Sequence, residues 1–227
     1  MYSRDNPSPR YVELAEIYAA MHREGYDRHV QGRVVRVDGE RAFPGDQLPK
    51  YIAVIGRMIR HTGARTLLDY GAGKGLQYSH PVQSDGKTIA PSLQKHWQLD
   101  QIVCYDPGVP DFAELPEETF DAVISTDVLE HIPEEDVFWV VEEMFARAAK
   151  FVFCNIACYP ALARLPNGNN AHVTVRHPQW WSGVFRAVGA RYPSIPFCLG
   201  LIGYAENLMG QPTRQLIYSH TFSDLEL

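Results

Sequence analysis

Apolar positions along this chain follow two different periods. Tyr11, Leu14, Ala15, Tyr18 and Met21 recur at helical spacing, and Gly25 stands where such a helix would stop. Ile52, Ile55, Met58 and Ile59 repeat the pattern. They predict a second helix from about 49 to 61, with Asp46 as its candidate cap and Gly63 as its end. Short continuous apolar runs at 65–69, 101–105, 120–125 and 150–155 have the length of strands buried on both faces. Helical patterns return over 134–149 and from 178 to about 188. Residues 1–10 carry two prolines and few apolar groups, and are expected to fray. Residues 26–45 read as an irregular lead-in with a turn at Pro44-Gly45, residues 76–99 as a helix start followed by an insertion, and residues 159–176 as a loop. The C-terminal stretch reads as two strands, near 191–197 and 214–222. Apolar strands alternating with helices predict an α/β fold with a parallel sheet covered on both faces. A helical lead-in, 1–48, would precede the main domain, 49–227.

Composition narrows the class. A chain of 227 residues favours one domain with a substantial core. The formal net charge of −6 argues against a broad phosphate-binding surface, so nucleic acid is not the expected partner. No apolar run approaches the roughly 20 residues of a membrane span. The N-terminus lacks the apolar core of a signal peptide. Cys104, Cys154, Cys158 and Cys198 form no Cys-x-x-Cys pair and lie mostly in apolar runs, as buried thiols do. A reducing cytoplasm is the expected setting.

The chemistry concentrates after the first strand. Leu67-Leu68-Asp69-Tyr70 runs into Gly71-Ala72-Gly73-Lys74-Gly75, three glycines at alternate positions. Glycine lets backbone take left-handed conformations and lets a ligand lie against it. Gly73-Lys74 is followed by Gly75 and not by Ser or Thr, which excludes the phosphate loop. The third glycine comes too early for the dinucleotide fingerprint.

Asp69 to Gly75 resembles the first motif of class I S-adenosylmethionine-dependent methyltransferases, an acid followed by Gly-x-Gly-x-Gly. Asp106 ends the next apolar strand, where dinucleotide-binding folds place an acid on ribose hydroxyls; the same family uses this device. Phe120-Asp121-Ala122-Val123 followed by Asp127-Val128-Leu129-Glu130-His131 closely resembles the third segment of its small-molecule members, ubiquinone-type and sugar-type enzymes included. The resemblance covers about residues 50–155. It implies a doubly wound, mostly parallel seven-stranded sheet with a terminal antiparallel strand, S-adenosyl-L-methionine as cofactor, and a cofactor site of Asp69, Gly71, Gly73, Lys74, Asp106, Asp127 and Val128. The spacing departs from the family pattern: Gly71 to Asp106 is long and Asp106 to Phe120 short. An insertion after the first strand and an abbreviated helix and strand after Asp106 are therefore expected, with Asp111 or Phe112 the candidates at the adenine.

The implied reaction is methyl transfer to oxygen or nitrogen of a small polar acceptor, by a monomer or homodimer. Methyl transfer is an in-line displacement that chiefly requires positioning, and a hydroxyl acceptor also needs a base. His131 and His172 are the candidates. If 127–131 is helical, Asp127 and His131 share a face. Related enzymes sometimes use such acids and histidines for a metal or as base; no metal ligand set is assigned from the pattern. The amides of Asn167, Asn169 and Asn170 suit a hydroxylated or heterocyclic acceptor as well as they suit a turn. Trp180-Trp181 is read as a packing pair.

Overall fold

The computed structural model describes residues 2–30, 33–45, 47–84, 87–206 and 211–225. The first helix, α1 (Pro9–Glu24), begins where Ser8 Oγ accepts from the Tyr11 amide and Pro9 presets the first turn. Against expectation, the segment before it is docked. Arg4 pairs with Glu143 and donates to Tyr105 Oη at 3.0 Å. Ser8 is buried, its amide donating to Asp136 Oδ1 at 3.0 Å and its hydroxyl to Asp136 Oδ2. Composition alone predicted fraying because these polar partners lie more than a hundred residues away. Ser8→Ala removes a cap and leaves buried acceptor capacity on Asp136 unmet. It should lower unfolding free energy by about 1–2 kcal/mol in urea titration; an unchanged midpoint would mean that the cap is dispensable.

Residues 26–45 are not irregular throughout: β1 (Tyr26–Val30) and β2 (Arg33–Val37) form an antiparallel hairpin. Val34 and Val35 are both exposed, so no buried face imposes the alternation that would have announced it. A turn of tight helix, Leu48–Tyr51, leads into α2 (Ile52–Thr62), which Gly63 ends. The candidate cap Asp46 lies outside the described residues. After β3 (Thr66–Tyr70), the insertion consists of a short turn at 76–78 and a small hairpin, β4 (Val82–Ser84) with β5 (Lys87–Ala90). α3 (Leu93–Trp97) follows, its Trp97 indole donating to Ile52 O at 3.1 Å. Next come β6 (Gln101–Tyr105), β7 (Phe120–Thr126), α4 (Glu134–Arg147), β8 (Ala148–Ala157) and α5 (Pro178–Gly189), close to their expected places. The last two strands, β9 (Phe197–Glu206) and β10 (Pro212–His220), correct the expectation near 191–197. Pro193 and Pro196 cannot donate to a ladder, so the chain enters the sheet only after them.

Among the described residues the main sheet has six strands in the order β10-β9-β8-β7-β3-β6, all parallel except β10. The terminal antiparallel pair is present; the seven-strand count is corrected to six. Between Asp106 and Phe120 the chain makes one short turn, Pro110–Phe112. Three prolines and too few residues for a crossover leave no room there for another strand–helix unit. Consecutive strand residues face opposite sides. Leu68, Val123 and Val152 pack under α4 and α5, with Trp181 fully buried among them. Leu67, Ala122, Ile124, Phe151 and Phe153 pack under α2. This two-sided burial is why the strands read as unbroken apolar runs. Cys154 and Cys198 are buried and all four cysteines are free thiols. Among the described residues, no helix is long and apolar enough to cross a membrane.

Candidate functional site

The carboxyl ends of β3, β6, β7 and β8 meet on one edge of the sheet. Gly71, Gly73 and Gly75 take φ of 82°, 57° and 63°, so the chain doubles back as it leaves β3. The amides of Gly71 and Ala72 both donate to Tyr105 O, at 2.7 and 3.0 Å, lacing the turn to the end of β6. Asp106, the next residue, completes the lacing. Its Oδ2 accepts from the Gly73 amide at 2.8 Å and its Oδ1 from the Gly108 amide at 2.9 Å. A carboxylate has about four acceptor positions, so Asp106 keeps capacity toward the cleft.

A cavity of about 560 Å³ opens above this edge, within the range of small-molecule sites. Gly71, Gly73, Asp106, Asp127, Val128, His131 and His172 all line it. Asp69 and Lys74 do not. Asp69 is buried beneath the turn, where Oδ2 accepts from Tyr78 Oη at 2.8 Å and Gln77 Nε2 at 3.2 Å. Its Oδ1 has no partner. Burial, only partly offset by those two donors, pushes its carboxyl up to about 7. Lys74 Nζ donates to His22 O at 3.1 Å. Gln77 lines the wall instead, and its buried Oε1 lacks a donor.

The roof was not foreseen. Helix α1 contributes Tyr18, Met21 and His22 to the cavity, and the loop after β2 contributes Phe43. The Phe43 carbonyl accepts from the Lys74 amide at 3.0 Å, and its ring packs on Tyr18, His22 and Tyr26. His22 Nε2 lies 3.6 Å from Asp106 Oδ1. Burial lowers its imidazole below the usual histidine range, outweighing the opposing pull of Asp106. Helical spacing correctly marked Tyr18 and Met21 as inward-facing, and the surface they face is the cleft. His22 follows Tyr18 by four residues, a signal available in the sequence; Phe43 carried none.

The segment after β7 is not helical at Asp127, which takes a left-handed φ of 62°; only Leu129–His131 makes a helical turn. The shared Asp127–His131 helix face is thus corrected. The turn instead gathers Asp127 and Glu130 with His172 from the following loop, one ligand atom of each lying within 4.8 Å of the others. His131 is held by Ala171 O, 2.8 Å from Nδ1, and by Tyr18 Oη, 2.7 Å from the same nitrogen. A carbonyl only accepts, so Nδ1 carries the proton. Burial and the neighbouring His172 push this imidazole down to about 4, neutral at physiological pH. His172 Nδ1 likewise donates to Tyr159 O at 2.6 Å, which puts the lone pair of the neutral ring on Nε2. Ile202 and Arg214, from the C-terminal strand pair, close the far wall. The Arg214 guanidinium lies 4.0 Å over the Tyr159 ring. In the asparagine loop, Asn170 is spent on structure, its amide group bonding Ala161 N and O.

No protein-family model and no curated protein sequence matches the chain. Solved structures that the chain is similar to include the following three. An O-methyltransferase family protein from Burkholderia thailandensis shares 16% identity over 80% of this chain, with a TM-score of 0.45. The match spans 57% of that protein's length. A SAM-dependent methyltransferase from Archaeoglobus fulgidus shares 16% identity over 61% of this chain and 68% of its own, with a TM-score of 0.37. DhpI in complex with SAH shares 13% over 93% and 81%, with a TM-score of 0.32.

Proposed function

We propose that this chain is an S-adenosylmethionine-dependent methyltransferase acting on oxygen or nitrogen of a small polar acceptor. The observation that carries the reading is the joining of the glycine turn to Asp106: the acid at the end of β6 holds the Gly73 amide and still faces the cavity. An acid so placed at the end of the second strand, beside a left-handed glycine turn, suits a ribose diol. The orphaned acceptors fit the other end of the ligand. Gln77 Oε1 and Asp69 Oδ1 are buried without donors, and an ammonium group brings donors and opposite charge. Because Gln77 stands between Asp69 and the cavity, the reading gives Asp69 an indirect role: Gln77 relays its charge.

When bound, the cofactor supplies an electrophilic methyl carbon on a sulfonium. The protein's own work is alignment and exclusion of water. Tyr18, His22 and Phe43 cover the turn, while Asp127, Val128 and His131 form the floor toward the acceptor. In their neutral forms His131 and His172 each offer one ring-nitrogen lone pair, and either can take the proton that a hydroxyl or amine acceptor must lose. The acidic balance of the chain favours a small acceptor over a nucleic acid.

The test is calorimetric titration with S-adenosylhomocysteine. Saturable one-to-one binding is expected, and its absence would overturn the reading. Asp106→Ala should weaken that binding by roughly 10–100-fold, the loss expected on removing charge-assisted hydrogen bonds worth about 1.5–3 kcal/mol. Unchanged affinity would remove Asp106 from the ribose site.

A further inference from the structure

Asp127, Glu130 and His172 form a group that the cofactor reading leaves without a task. Glu130 is fully buried. Its Oε1 is fixed by the Ala157 amide at 2.6 Å, while Oε2 meets no N–H or O–H donor and the Asp127 carboxyl lies against the same group. A buried carboxylate oxygen without a donor is costly unless something else meets it. Asp127 brings a second carboxylate to the same place, through a backbone conformation that side chains other than glycine rarely adopt. Its amide is tied to Asn155 O at 3.2 Å, which holds that conformation. Among the described residues, no lysine or arginine pairs with either acid. The third member is prepared in the way a ligating imidazole usually is: Nδ1 donates to a backbone carbonyl, which orients the ring and leaves Nε2 as the free lone pair.

We propose that Asp127, Glu130 and His172 bind a divalent first-row transition cation at the acceptor end of the cavity. Two carboxylates and an imidazole make a mixed oxygen–nitrogen set; the imidazole favours Fe²⁺, Co²⁺ or Zn²⁺ over Mg²⁺ or Ca²⁺, and the two carboxylates also suit Mn²⁺. The cation would neutralise the paired acids and satisfy Glu130 Oε2. Its purpose rests on the methyl-transfer reading: with open coordination positions facing the cavity, it would anchor an acceptor oxygen beside the methyl donor and favour its deprotonated form. His172 then serves as a ligand.

The test uses Mn²⁺ alone, with no S-adenosyl compound present, so its result is separable from that of the cofactor titration. Chelator-treated protein is titrated with Mn²⁺ while the free-ion paramagnetic resonance signal is followed. About one equivalent should bind saturably, as a three-residue ligand set requires, and the melting temperature should rise with it. Glu130→Gln keeps Oε1 for the Ala157 amide and removes the charge. It and His172→Ala should each weaken Mn²⁺ binding at least about tenfold, in line with the loss of a ligand. Asp100→Asn, at an exposed ion pair elsewhere on the surface, should leave it unchanged. No saturable binding by the unaltered protein would overturn the proposal, as would affinity undiminished in both site variants. Should Glu130→Gln fail to fold, the His172→Ala result decides alone.

Discussion

Gly73→Ala is expected to destabilise the protein by about 2–4 kcal/mol and to abolish S-adenosylhomocysteine binding; two separable costs combine in it. Gly73 has φ of 57°, and a side chain in that region costs about 1–2 kcal/mol. A Cβ there would also stand 2.3 Å from the Phe43 carbonyl oxygen, a backbone atom that cannot swing aside. Phe43 would have to retreat, breaking the bond from the Lys74 amide and lifting the roof from the turn. Gly168 offers a control. Its φ is 84° but nothing lies within 4 Å of an added Cβ, so Gly168→Ala carries the conformational cost alone. Urea denaturation of the two variants isolates the Phe43 contribution by difference. A Gly73→Ala loss no larger than that of Gly168→Ala would show that the covering loop yields freely.

The second large effect is a pH dependence set by Asp69. Its carboxyl is raised from the ordinary 3.8 to about 7, chiefly by burial. Between those values the folded chain keeps a proton that the unfolded chain has lost. Protonation therefore favours the fold, and this contribution declines as pH rises from about 4 to about 7, then stays flat. At about 1.4 kcal/mol per pH unit, the upper bound is on the order of 4 kcal/mol. Asp69→Asn keeps an acceptor for Tyr78 and Gln77 and cannot ionise. The variant should gain stability relative to the unaltered chain across that window, most at pH 8. A stability difference independent of pH would place the Asp69 carboxyl near its ordinary range. The same substitution should weaken S-adenosylhomocysteine binding if Gln77 relays the charge of Asp69 to the cavity.

Much of the framework was legible in the chain. Strands β3, β6, β7 and β8 stood out because burial on both faces demands continuous apolar residues. Helices α1 and α2 stood out because one face is apolar at a period of 3.6. The glycine turn was legible because few residues other than glycine adopt φ near 60–80°, and Asp106 because it ends an apolar strand. The misses share one origin. The 26–37 hairpin has exposed valines and hence no buried face to mark it. The docked N-terminus depends on Asp136 and Glu143, acids whose partners cannot be inferred from local pattern. The sheet stops at six strands because the interval after Asp106 is too short for another crossover.

Local physics thus determined where backbone must be apolar or left-handed, and these properties belong to single residues and their near neighbours. Tertiary structure decided which polar groups meet. It put Gln77 between Asp69 and the cavity, laid Phe43 and His22 over the glycine turn, and drew Asp127 and Glu130 to His172 instead of aligning Asp127 with His131 on a helix. Those meetings depend on how distant segments pack, since a carboxylate in sequence carries the same charge whether its partner is solvent, an amide or a second carboxylate.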